Sequence, residues 1–319
     1  TLSGWEMSSM SENPLGTEKI SKLLRSFAVP SITATLVSSL YNIVDQVFIG
    51  QGVGYLGNAA TNVSYPLSTI CLAISLLLGI GSASRFSLCL GRKEPERAAA
   101  LAGNGVVLMA AAGLLYLLVG EAFLPQLLRV FGATAEVMPL ARQYAGVTLV
   151  GMPFLILTNG VSNLIRADGS PRYSMACMVA GAIANTILDP IFIFGFHWGV
   201  FGAALATVLG QVLSFFLAIR YLWLFRTVRL TKACFRLDLR DALRTMYMGT
   251  SSCLNQVAIT IVQIVLNNSL TYYGALSVYG TDIPLAACGI VMKTNAILLA
   301  VVIGISQGYQ PIIGFNYGA

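Results

Sequence analysis

Two carboxylates stand where a carboxylate is hardest to keep. Of the 13 Asp and Glu residues, all but Asp45 and Asp189 fall in loops or at the ends of apolar runs. An acid at bilayer depth costs about 3 kcal/mol on insertion scales, so it requires a cavity, a partner or a proton. Counting about 1.5 Å per residue from Phe27 puts Asp45 about 27 Å along its helix, and the same count from Tyr173 puts Asp189 at about 24 Å. Both depths fall in the outer half of a core about 30 Å thick, so the two acids can meet.

Neutral oxygens reach the same level. Asn185 precedes Asp189 by one helical turn and shares its face. Thr207 and Tyr144 each lie about seven residues into their own runs from the outer end, a descent of roughly 10 Å. Carboxylates with neutral oxygens hold a hard cation such as Na⁺, and two close carboxylates can share a proton. Asp45, Asn185, Asp189, Thr207 and Tyr144 are therefore the candidate cation or proton site. A structural reading stands beside this one. Asp189 precedes Pro190 and could satisfy backbone groups freed by a proline break, and Asp45 could cap an early helix end before Gly50. Singly, Asn185, Thr207 and Tyr144 could be interhelical hydrogen bonds, each worth under about 2 kcal/mol. Pro30 marks a kink in the run that carries Asp45, and bending there would move the acid.

The elements that hold these residues are membrane helices. Only 10% of the 319 residues are charged, 56% are hydrophobic and the mean hydropathy is +0.76, which excludes a soluble surface. Eight runs are long enough to span: 26–50, 61–84, 98–120, 137–161, 173–196, 200–224, 245–272 and 285–312. The first is too long for a signal-peptide core and lacks a cleavage pattern. Of the 19 Lys and Arg residues, 16 fall on one side of these runs, Arg129 and Arg142 fall on the other, and Lys293 lies within the last. That asymmetry places the N-terminus in the cytoplasm. The net charge of +6 therefore reads as topology, with no nucleic acid as partner.

The expected organisation is a tail (1–18), a six-helix N-lobe (19–224), a basic cytoplasmic connector (225–244) and a partial C-lobe of two helices (245–319). The fold class is thus all-α: a polytopic helical bundle with one complete lobe and the first two helices of a repeat. Gly81 and Gly91 match Gly308 and Gly318 at a common offset of 227, which makes span seven the counterpart of span one. Starting at Thr1 and ending on an apolar run, the chain reads as a piece of a longer frame. The six cysteines have no metal-ligand spacing, His197 is the single histidine, and no nucleotide-binding or hydrolase motif is present. No cofactor and no enzymatic activity are expected. Met152, Met175, Met178 and Met292 could line an adaptable apolar cavity or simply pack.

Three segments carry a family resemblance. Pro30 to Gly50, with Tyr41-Asn42-Ile43-Val44-Asp45-Gln46, resembles the first helix of the multidrug and toxic compound extrusion (MATE) transporters. Asn185-x-x-x-Asp189-Pro190 resembles their fifth helix. Gln307-Gly308-Tyr309-Gln310-Pro311 and Gly314-Phe315-Asn316-Tyr317-Gly318-Ala319 resemble the end of their eighth. The resemblance implies twelve helices in two lobes and alternating access. It also implies Na⁺ or H⁺ uptake driving export of cationic, aromatic compounds by a monomer in the bacterial inner membrane. The implied cation site is Asp45, Asn185, Asp189, Thr207 and Tyr144, with Pro30 as the bend. Lys293, Gln256 and Gln307 would face the cleft.

Helices nine to twelve are absent from this sequence, and span seven carries Asn255, Gln256, Gln263, Asn267 and Asn268 but no acid. A lipid-linked saccharide flippase of the same superfamily would need several intramembrane bases, and only Lys293 is present. An intramembrane aspartyl protease would also use two membrane acids, but its Gly-x-Gly-Asp signature is missing.

Overall fold

The computed structural model describes residues 15, 18–133, 135–278 and 282–319, with backbone only at 263, 264, 267, 268, 270, 271, 275, 282–290 and 292–294. Among them, eight long helices follow one another: α1 Ile20–Gly52, α2 Tyr55–Gly91, α3 Pro95–Ala122, α4 Met138–Ala167, α5 Pro171–Pro190, α6 Gly199–Tyr221, α7 Leu239–Ala275 and α8 Asp282–Gly318. The helices outrun the apolar spans because polar interfacial residues continue the backbone hydrogen bonding until a breaker intervenes. Between α1 and α2 that breaker is Gly54, at φ 86, a backbone conformation L residues rarely adopt. Pro95 and Pro171 open α3 and α5 in the first turn, where a missing N–H costs nothing. A short helix, Leu124–Val130, follows α3 and was not foreseen from the apolar pattern.

Seven of the described helical segments are long and apolar enough to cross a membrane. The helix for span seven forms as well, as α7, with part of its length described by backbone only. The core of the first six helices gathers Phe86, Met109, Leu149, Met152, Ile156 and Ile165, each at most 2% exposed. Met152 is therefore packed rather than lining a cavity. Cys71, Cys89, Cys177, Cys234 and Cys253 are free thiols.

The connector region is pinned to the first six helices. Asp168, between α4 and α5, accepts from the Tyr221 hydroxyl (2.8 Å), Arg226 N (2.8 Å), Thr227 N (3.0 Å) and the Thr227 hydroxyl. Burial pushes its carboxyl above the usual carboxylate range, against the pull of these donors. Asn104 donates to Arg236 O and Asp238 O, both at 3.2 Å. The Asp238 side chain caps α7 by accepting from Arg240 N (2.8 Å) and Asp241 N (3.3 Å), so helix begins at Leu239, inside the 225–244 stretch.

The glycine repeat has a structural counterpart. On α8, Gly308 abuts Ala28 and Gly304 abuts Ile32 of α1. On the other side, Gly81 of α2 abuts Thr245 of α7, and Leu77 abuts Gly249. Gly91 meets Phe315, and Gly318 meets Leu88. The α2 and α8 members of these pairs are always 227 residues apart, whereas the α1 and α7 members are 217 apart. The helix pairs are thus related by an internal two-fold. The expected offset holds for α2 and α8 and is ten residues shorter for α1 and α7, since the chain from Gly249 to Gly304 is ten residues longer than from Ile32 to Leu77.

Candidate functional site: a buried carboxylate pair

α1 packs against α5, and α5 against α6, which brings the two intramembrane acids together. Asp45 is 8% exposed, Asn185 2% and Asp189 0%. The carboxyl groups of Asp45 and Asp189 interact directly. Asn185 Nδ2 donates to Asp189 Oδ1 and to Thr207 Oγ1, each at 3.3 Å. The Tyr144 phenol lies near both acids, so all five predicted residues converge.

The acids do not serve the helix backbone in the ways that a structural reading requires. α1 continues to Gly52, so Asp45 caps no helix end. Asp189 receives the Asn185 amide, and the chain past Pro190 continues as a single π-helical turn, Ile191–Gly195. Such wide turns recur at functional positions.

Three buried oxygens remain without a hydrogen-bond donor: Asp45 Oδ1, Asp189 Oδ2 and Asn185 Oδ1. Orphaned acceptors of this kind are costly, and here they cluster. Toward the 53–54 turn, an apolar plug of Ile49, Ile193 and Ala203 sits with Tyr144, Phe48 and Val53. Gly52 lets α1 approach this plug closely, because a Cβ at that position would strike the Ile193 side chain. The cluster is thus hard oxygen on one side and dry hydrocarbon on the other, an arrangement able to hold a small cation or a proton.

Tyr41 also lies near both acids and was not singled out from the sequence. Its signal was available: it precedes Asp45 by four residues and so shares its helix face. Pro30 is buried within α1, whose helix runs through it. Gln256 and Gln307 are half-buried and make no side-chain hydrogen bond among the described residues. The Lys293 side chain lies outside the described residues. On α7, the internal two-fold places Val262 at the register of Asp45, which matches the lack of an acid there.

Multidrug export protein MepA of Staphylococcus aureus (strain MRSA252) is 28% identical over 297 residues, covering 93% of this chain and 64% of MepA. MepA of Staphylococcus saprophyticus is 26% identical over 296 residues, with 91% and 63% covered. The chain thus spans somewhat under two thirds of the length of these relatives. The solved structure of the MATE multidrug transporter DinF-BH matches with a TM-score of 0.86 at 31% identity, covering 95% of this chain and 67% of that one. The MatE family model matches residues 30–191, just over half of the chain, from the buried proline of α1 past the second acid of the pair. The chain belongs to the multidrug and toxic compound extrusion (MATE) family.

Proposed function

We propose that this chain supplies the ion-binding lobe of a cation-coupled multidrug exporter. Its N-terminus is cytoplasmic, and the protein works as a monomer in the bacterial inner membrane. The observation that carries the reading is the set of orphaned oxygens, Asp45 Oδ1, Asp189 Oδ2 and Asn185 Oδ1, at one buried point. They fit Na⁺ or a proton: two carboxylates supply charge, and Asn185 and Thr207 supply neutral oxygen. Ion entry favours a bend of α1 at Pro30, where the helix lacks one backbone hydrogen bond. That bend reshapes the cavity of the six-helix lobe and releases a cationic aromatic compound outward. The ion drives this only by binding the two states unequally. The names of the relatives, multidrug export proteins and a MATE multidrug transporter, support the substrate class.

The test is ethidium efflux from cells expressing the full reading frame, with the Na⁺ and pH gradients collapsed separately. Efflux should need one gradient and vanish in Asp45→Asn. Efflux that ignores both gradients would refute coupling.

A further inference from the structure

The arginine-rich end of the bundle holds a cavity that the carboxylate pair does not explain. About 450 Å³ in volume, it lies at the seam between α2, α3 and α7 and is lined by Arg85, Arg92, Arg97 and Arg244 with Leu88 and Tyr247 among its walls. It adjoins a second cavity of about 310 Å³ that shares Arg97 and Arg244 and adds Arg240 with the two acids Asp238 and Asp241.

The charges at this seam are unbalanced. Arg85 Nη2 is taken by Asp241 Oδ1 at 2.5 Å, and Arg85 Nη1 by Asp241 O at 2.7 Å. Asp238 is occupied in capping α7. Glu94 lies nearby but lines neither cavity. Arg92, Arg97 and Arg244 have no ion pair among the described residues. Arg92, Arg97 and Arg244 therefore line an opening with no acid in its own wall, and guanidinium groups favour phosphate.

The walls decide which phosphate. Leu243, Tyr247 and Met248 are 60%, 83% and 41% exposed, at the end of an apolar face that α7 leaves open along much of its length. A soluble anion has no use for this apolar flank, whereas a phospholipid lays its acyl chains there with its headgroup among the arginines. Exposed Tyr at the mouth is a residue type favoured at the membrane interface, and basic pockets between helices at the membrane surface bind anionic lipid headgroups.

We infer that the α2–α3–α7 seam is a binding site for an anionic phospholipid, its phosphate held by Arg92, Arg97 and Arg244. Since α2 and α3 belong to the first six helices and α7 follows the connector, the bound lipid ties the two parts together beside the Arg85–Asp241 pair. The site stands independently of the carboxylate pair.

The full chain in neutral detergent is titrated with phosphatidylglycerol, phosphatidylcholine or inorganic phosphate, and bound species are counted by native mass spectrometry. Phosphatidylglycerol should be retained in preference to phosphatidylcholine. Binding should weaken about tenfold or more in Arg97→Gln/Arg244→Gln, where two charges near the surface are lost. It should persist in Arg229→Gln/Arg236→Gln, which removes charge at the same end but outside both cavities. A photoactivatable phosphatidylglycerol should crosslink to the 243–248 segment of the unmodified protein, a readout that needs no variant. Equal retention of the two lipids, or unchanged binding in Arg97→Gln/Arg244→Gln, would overturn the site. Crosslinks spread evenly over the basic loops would do the same. Inorganic phosphate that binds as tightly as the lipid would overturn the lipid as occupant.

Discussion

Asn185 and Asp189, one turn apart on α5, meet through an Nδ2 to Oδ1 hydrogen bond of 3.3 Å. The amide that steadies Asp189 also reaches Thr207, so one side chain orients two oxygen ligands. Removing that amide by Asn185→Ala should weaken ion binding while leaving both carboxylates in place. The expected loss is about 1.5–3 kcal/mol, roughly 10- to 150-fold in affinity, by the usual worth of a hydrogen bond to a charged group. Competition between the coupling ion and a fluorescent substrate would read it. An affinity unchanged within twofold would remove Asn185 from the site.

Tyr41 stands on the Asp45 face of α1, and its hydroxyl is the group to test. Tyr41→Phe keeps the packing and deletes the oxygen. Ion affinity should fall while the thermal midpoint of the purified protein stays near that of the wild type. A large drop in midpoint with intact affinity would make Tyr41 a structural residue only.

Arg85 and Asp241 hold α2 to the first turns of α7. The Arg85 side chain is 9% exposed and that of Asp241 27%. Breaking such a pair by Arg85→Ala should cost about 3 kcal/mol, the low end for buried pairs, because solvent reaches the acid. Replacing both partners, Arg85→Met with Asp241→Leu, should recover most of that loss. Chemical unfolding in detergent separates the cases, and a double variant as unstable as the single one would contradict the assignment.

Gly81 and Gly308 occupy equivalent places in the two-fold, each against the backbone of a neighbouring helix. Gly81→Val and Gly308→Val should each destabilise by about 1–3 kcal/mol, since neither Thr245 nor Ala28 can yield without moving a helix. Similar losses at both positions are expected. A marked difference would show that the two-fold does not extend to packing energetics.

Asp168 gives a pH signature. Its folded carboxyl is raised above the unfolded value of about 4, so folding favours the protonated form. Its contribution is fully present below that value and declines as pH rises through the folded one. The stability advantage of the wild type over Asp168→Asn should therefore narrow as pH rises from about 4. A gap that widens instead would mean that the four donors outweigh burial.

How much of this was readable in advance follows from what sets each feature. Asp45 and Asp189 could be paired from helical rise alone, because two membrane helices share one depth scale. Thr207, Tyr144 and Asn185 came by the same count. Tyr41 was overlooked although the same-face rule reaches it. The π turn after Pro190 and the short Leu124–Val130 helix were not legible, since both depend on local packing rather than on apolar period. The 227 offset was visible in glycines because close helix crossings demand them. The 217 offset of α1 and α7 was hidden, since Ala28 and Ile32 correspond to Thr245 and Gly249 with no identity to find.

The central claim is that Asp45 and Asp189 hold the coupling ion, and direct ion binding tests it. The purified full reading frame would be assayed for radioactive Na⁺ retention and, with a pH-sensitive dye, for protons released when ethidium is added. The account predicts that one of the two signals is present in the wild type and absent in Asp189→Asn that still folds. Both signals unchanged in that variant, or neither present in a wild type that exports ethidium, would contradict it.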